Sequence, residues 1–558
     1  MNISTKSASI WHHSLILSSG AQPANISAMR PIDSDYGALD PRTFDAMEVD
    51  ALFDVINLTQ THMGHLILYR SLARPISDAQ ALIEKQAAVR ELESNPEMHG
   101  ILKHFIENMA VGEKALYPLL YGEFIGGLSS DEPLSDSNKL TFGGYGYRQY
   151  INGTRFVVDL VEAVNAFPQP QTPYLHSLFG AIRDFGRSRI YALMRGPVYL
   201  VDGKFKTQQE KPRFWPIPRF RPSMIKPVPM LIFMAAISGI LYAFQMMLPE
   251  LGASYMGYGI LALIIIAIPI ILLAIRVSDR DSIIYPLRKQ FRQSQDLAKA
   301  LEAMGMIDEL LSFRRYALST DGVVTLPDIL DAQHHVLNVT AARNPLLDKV
   351  SPDFVPNDIA LDQSERLLII TGPNSGGKTA YCKTVVQVQL LGQIGCYIPA
   401  SRAQLVPVEH FFYQVPDPGR LDAEIGRFGH ELKQTREIFF NATSRSLAVL
   451  DELSEGTTFE EKMTLSEYIL KGFYKLGTST LLVTHNHELC ERLQGEGIGK
   501  YLQVAFAAHG PTHQLIPGIS RVSHAEHVAT RIGFSKEDVE KHLAARRSPS
   551  NLPDEPVT

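Results

Sequence analysis

Cysteine is nearly absent from this chain. Three occur in 558 residues, Cys382, Cys396 and Cys490, with no CxxC spacing, which argues against a disulfide framework or a structural zinc site. All three are expected to be reduced and to face a cytosol. An excess of basic residues is missing too: Lys and Arg number 53 against 59 Asp and Glu, a net charge of -6, so the overall charge does not announce a nucleic-acid binder. The first residues, MNISTKSASIWHHSLILSSG, lack a signal-peptide core, because His12, His13 and Ser14 interrupt the one short apolar stretch. Residues 1–38 are expected to form a loosely ordered lead-in. What is present is a folded-protein composition, 45% hydrophobic and 20% charged, in a chain long enough for two or three domains.

Two long apolar runs lie in the middle. Val228–Leu248 and Tyr255–Ile275 carry no charge over 21 residues each, and a helix of that length spans ~31 Å, close to the ~30 Å hydrocarbon thickness of a bilayer. With PELGAS as the turn between them, they predict a transmembrane helical hairpin over 228–276; Pro229 and Pro269 are compatible with membrane helices. A pair of buried core helices is the alternative. Basic flanks (Lys204, Lys206, Lys211, Arg213, Arg219, Arg221 and Lys226 before; Arg276, Arg280, Arg288 and Lys289 after) place both ends on the cytoplasmic side, hence a multi-pass inner-membrane protein. Phe214 and Trp215 suit a membrane interface. The same basic stretch reads as an anionic-lipid contact or as a nucleic-acid contact.

The last third carries the chemistry. RLLIIT (366–371) is a short β-rich run followed by GPNSGGKT and then by the amphipathic AYCKTVVQVQLLGQIG, the strand–loop–helix context that makes G-x-x-x-x-G-K-[ST] a phosphate loop. Gly372, Pro373, Asn374, Ser375, Gly376, Gly377, Lys378, Thr379 and Ala380 are the candidate nucleotide cradle, with Lys378 reaching the β- and γ-phosphates and Thr379 ligating Mg²⁺. SLAVLDEL (446–453) ends a second apolar strand in Asp451, a candidate Mg²⁺ ligand, and Glu452, a candidate general base; alone, such a pair is also a common solvated strand end. TLLVTHNHEL delivers His485 at a third strand end, where a γ-phosphate sensor and a structural histidine are both open. ATP and Mg²⁺ are therefore the expected substrate and cofactor, and ATP hydrolysis the expected activity.

TGPNSGGKT, GCYIPA (395–400), LDELSEGTT (450–458), THNHEL (484–489) and the stretch ending HVATRIGF (527–534) together resemble the ATPase domain of the DNA mismatch-repair MutS family. The likeness covers roughly 340–542. It implies that Phe354 and His513 flank the adenine, though a Phe packing the strand entrance is the other reading of Phe354. LDPRTFDAMEVD and TQTHMGHLILYRSLARPISDAQALIEKQAAVREL (59–92) resemble the start of the same family's lever or core region. Residues 93–227 and 277–340, for example ALEAMGMIDELLSFRRYAL, match its levers only by helical periodicity. The expected fold is multidomain: a lead-in (1–38), an α-helical lever/core domain (39–227), the transmembrane hairpin (228–276), returning lever helices (277–340), an α/β P-loop ATPase domain (341–542) and a disordered tail (543–558). The hairpin would take the place of the family's DNA clamp.

The family resemblance further implies a homodimer, DNA binding and mismatch-repair-related work. Direct mismatch reading is not expected, since residues before 40 do not resemble the family's mismatch-reading domain. Where the family has a serine reaching the partner's γ-phosphate, EIGRFGHEL has Gly426 and then Arg427. A nucleotide-gated scaffold acting on a membrane or protein partner without DNA is a second reading. A transporter ATPase is a third, opposed by the missing LSGGQ and the short separation of Lys378 from Asp451.

Overall fold

The computed structural model describes residues 30–31, 37–126, 141–142, 144–212, 219–223, 235–240, 242–243, 246, 267–351, 354–373, 376–415, 426–453, 459–507, 510–520 and 532–547. The chain divides into two compact units. The first contains 56–71 and 84–318, the second 31–55, 72–83 and 319–558.

The first unit is mainly helical, with α1 His62–Ala73, α2 Pro96–Tyr121, α3 Tyr147–Ala166, α4 Arg189–Arg195 and α5 Gln295–Ser319. Two short ribbons join them: β1 Glu123–Phe124 with β2 Thr141–Phe142, and β3 Tyr199–Val201 with β4 Lys204–Lys206. Local chemistry sets the helix starts. Asn95 caps α2 by accepting from the Met98 N–H at 3.0 Å, with Pro96 and Glu97 in the first turn. Helix α5 is buried on every side from Ala300 to Phe313, so three of its acids are buried and each has a basic partner: Glu302 with Arg70 at 3.1 Å, Asp308 with Arg315 at 3.1 Å and Glu309 with Lys85 at 2.8 Å. Asp308 also accepts from the Gln60 and Thr61 N–H groups, both at 2.8 Å, and Glu113 accepts from the His62 and Met63 N–H groups at 2.7 and 2.9 Å. Two buried carboxylates thus satisfy the free donors at the start of α1. Gly64 has no room for a side chain, because a Cβ there would run into the Asp308 carboxylate and the Thr61 hydroxyl. The THMG sequence is the imprint of this junction.

The transmembrane hairpin expected over 228–276 is corrected. Among the described residues no helix is long and apolar enough to cross a membrane. The described part of the second run is helical from 267 and runs on past Ile275 into Arg276. From there the helix continues through a π turn, Arg280–Ile284, into Tyr285–Arg292. Arg276 lies against the Tyr145 ring and Arg280 against Tyr285, 5.7 and 5.8 Å from the ring centres. Of the first run, 235–240, 242–243 and 246 are described as helix; the rest of both runs, like Phe214 and Trp215, lies outside the described residues. The inner-membrane, multi-pass placement and the embedding through 228–275 rested on that hairpin and are corrected with it.

The second unit is α/β. Its six-stranded sheet contains β8 Leu367–Thr371, β10 His410–Gln414, β11 Ser446–Asp451, β12 Ser479–Val483, β13 Lys500–Ala507 and β14 Gly510–Pro517, in the order β10-β11-β12-β8-β13-β14. All neighbours are parallel except β13 and β14. Strands β8 and β12 are buried at every residue, as the continuous apolar runs RLLIIT and TLLV require of strands covered on both faces. Helices α6 Lys378–Gln393, α7 Gly426–Asn441, α8 Phe459–Leu476 and α9 His487–Gly495 accompany it. A four-stranded sheet, β5 Asp328–Ile329, β9 Arg402–Leu405, β6 Leu337–Ala342 and β7 Asn357–Leu361 in that order, adjoins. The edge strand β10 is covered by the segment that precedes α1. The Phe411 N–H donates to the Ala38 carbonyl at 2.8 Å and the Tyr413 N–H to the Thr43 hydroxyl at 3.2 Å, which removes an open sheet edge.

Candidate functional site

Three adjacent strands, β11, β12 and β8, end side by side, and their carboxyl ends deliver the site. After β8 the chain turns at Gly372 (φ 134°) and enters α6 through Gly376 and Gly377. Gly376 is required by packing: a Cβ there would lie 2.7 Å from Cγ2 of Val504 on β13. Thr371 and Ser520 fix the neighbouring backbone, the Ser520 N–H donating to the Thr371 hydroxyl at 2.8 Å.

Lys378, the first residue of α6, is only 2% exposed. Its Nζ donates to the Gly372 carbonyl and stands 3.2 Å from His485 Nε2. Burial pushes its pKa down to about 8, while the carboxylates of Glu452 and Asp451 oppose the fall. Glu452 follows β11 in the left-handed backbone region (φ 54°), uncommon for a residue with a side chain. Its N–H donates to Val483 O of β12 at 3.0 Å, and its Oε1 lies 3.3 Å from His485 Nε2. His485 occupies the short hinge between β12 and α9. That hinge is held by the Thr484 hydroxyl, which accepts from the Asn486 N–H at 3.1 Å, and by the Asn486 side chain, which caps α9 through the Leu489 N–H at 3.1 Å. One imidazole nitrogen therefore stands within hydrogen-bond reach of both the lysine and the carboxylate.

The other expected residues are distributed as follows. Thr379 is exposed at the start of α6, Ala380 and Asp451 are half-buried, and Pro373 is buried in the loop. Asn374 and Ser375 lie outside the described residues. Thr379 and Asp451 offer only oxygen ligands, the donor type Mg²⁺ takes, and one carboxylate with substrate phosphates suffices for that ion. His513 (φ 62°) stands over the loop, its Nδ1 3.3 Å from where a Cβ on Gly377 would be. The carboxamide of Asn357 holds that strand in place by donating to His513 O at 3.1 Å and accepting from the Leu515 N–H at 2.7 Å. Phe354, three residues before Asn357, is half-buried, and the Arg343 guanidinium lies 5.6 Å from its ring centre. Gly426 begins α7; the side chain of Arg427 is outside the description. Val504, Asn357 and Arg343 were not singled out in the sequence. Only the alternation of YLQVAFA hints that Val504 faces inward.

Residues 368–546 match the family MutS domain V. Among similar curated proteins, the DNA mismatch repair protein MutS of Oceanobacillus iheyensis is 33% identical over 263 residues, which are 46% of this chain and 30% of that protein. Endonuclease MutS2 of Thermus thermophilus is 32% identical over 269 residues, 47% of this chain and 35% of that protein. The DNA mismatch repair protein MutS of Carboxydothermus hydrogenoformans is 33% identical over 259 residues, 45% and 30%. The chain thus spans about a third of the length of these relatives. The part of the chain that carries the phosphate loop, residues 368–546, is thus similar to domain V of the MutS family.

Proposed function

We propose that the chain hydrolyses ATP and couples nucleotide binding and turnover to the opening and closing of a homodimer in mismatch-repair-related work. The observation that carries this reading is the meeting of Lys378, Glu452 and His485 at the carboxyl ends of three neighbouring strands.

In this reading the backbone N–H groups at the start of α6 face the phosphates, with the helix dipole behind them. Lys378 leaves the Gly372 carbonyl for the β- and γ-phosphate oxygens. Thr379 and Asp451 hold Mg²⁺, which when bound offsets the charge on the phosphates. Glu452 accepts the proton of the attacking water. His485, already in reach of both Glu452 and Lys378, orients the carboxylate and reports whether the γ-phosphate position is filled. Phe354 and His513 flank the base.

Two of the relatives named above are described as DNA mismatch repair proteins, and DNA is the partner this reading assigns to the chain. The test is Mg²⁺-dependent phosphate release by the purified full chain, measured with matched duplex, with mismatched duplex and without DNA. Turnover that is lost in Lys378→Ala and altered by duplex is expected. Phosphate release unaffected by Lys378→Ala would sink the assignment of the site, and turnover indifferent to any DNA would sink the assignment of the partner.

A further inference from the structure

The helical unit holds a cleft of about 270 Å³ that none of the preceding roles uses. Three stretches far apart in the sequence supply its charged rim: Arg155 from the middle of α3, Arg195 as the last residue of α4, and Arg219 beyond the β3–β4 ribbon. The third is fixed by backbone pairing, since Arg219 bridges Tyr199 and the Phe220 N–H donates to Val198 O at 2.9 Å. Tyr150 and Phe220 meet edge to face with 5.5 Å between ring centres and form an aromatic wall. Among the described residues no carboxylate lines the cleft.

All three arginines are exposed, and none makes an ion pair among the described residues. Their neighbours behave differently: Arg187 pairs with Asp184 at 3.1 Å and Arg189 with Glu210 at 2.7 Å. The position of Arg195 at the end of α4 suits the helix dipole, but this accounts for one of the three. Like charges gathered round a concave, partly apolar surface repel one another and concentrate a positive field there, and an anion relieves that repulsion.

We propose that this cleft binds the phosphate or pyrophosphate group of a small phosphorylated molecule. Guanidinium forks match phosphate oxygens two at a time, and three of them converging from different elements discriminate geometry as well as charge. Tyr150 is buried, and burial raises its pKa, so its hydroxyl stays protonated and can donate. The volume lies at the small end of ligand sites. It suits one or two phosphate groups with a ring against Phe220, not a folded partner.

The test uses the full chain carrying Lys378→Ala, so that the phosphate loop does not report, titrated with inorganic pyrophosphate in a calorimeter at fixed ionic strength. Saturable binding is expected, falling on the order of tenfold for each arginine replaced by alanine. The triple Arg→Lys variant should bind with intermediate strength, because it keeps the charge and loses the fork. Unchanged thermal melting of the variants separates lost binding from lost folding. Two competitors distinguish the sources of phosphate. Displacement by ADP supports the proposal, whereas binding of a short single-stranded oligonucleotide without any pyrophosphate binding overturns it. Sulfate binding as tightly as pyrophosphate would reveal a nonspecific basic surface and overturn it as well. Pyrophosphate affinity unchanged in Arg155→Ala/Arg195→Ala/Arg219→Ala would also overturn it.

Discussion

At the scale of single residues, the depressed pKa of Lys378 has a measurable consequence. Phosphates favour the cationic lysine, and its pKa in the folded chain is about 8 against an ordinary 10.5. The free site is therefore charged below pH 8 and increasingly neutral above it. ATP affinity should be flat up to that pH and then fall by up to roughly tenfold per unit as pH rises. Binding near pH 8 should take up protons, seen as a dependence of the calorimetric heat on buffer ionisation enthalpy. Affinity that stays constant from pH 7 to well above 9 would show that Lys378 keeps its proton throughout. The types and spacing of Lys378, Thr379 and Asp451 made them legible in the sequence, because one motif demands all of them. The left-handed backbone of Glu452 was not legible, since nothing in LDEL announces it; it follows from the bond between the Glu452 N–H and Val483 on the next strand. Asn357 was invisible for a similar reason. Two of its hydrogen bonds reach residues more than 150 positions away.

Among elements, the loop before α6 and the strand β13 constrain one another through Gly376 and Val504. Gly376→Ala should cost ~1–3 kcal/mol of stability through overpacking and weaken nucleotide binding. Val504→Ala, which removes the methyl groups in the way, should restore part of both. Denaturant unfolding of the two single variants and the double variant measures the coupling, and strict additivity would show that the contact is irrelevant. In the helical unit, Asp308→Ala should destabilise by ~3–5 kcal/mol, because it leaves Arg315 and the Gln60 and Thr61 N–H groups without their buried acceptor. A loss under 1 kcal/mol by the same measurement would mean that water replaces the carboxylate. The THMG sequence could be matched to a family, but its cause could not be read, since the carboxylates that explain it come from α2 and α5. The apolar runs misled for the opposite reason. Length and lack of charge are properties of a window, and they do not reveal where a helix becomes part of a packed unit, as happens at Arg276 and Arg280 beside aromatic rings.

For the whole molecule, the proposed coupling requires that nucleotide state alter association. The full chain carrying Glu452→Gln should sediment as a dimer in Mg·ATP, and less so without nucleotide. A monomer under both conditions would remove the proposed coupling to a homodimer. The central claim concerns chemistry, and phosphate release tests it most directly. Initial rates of the full chain in saturating Mg·ATP should fall at least ~10²-fold in Glu452→Gln, the usual scale for a lost general base, while ATP affinity remains near that of the unmodified chain. Undiminished phosphate release from Glu452→Gln would contradict the account.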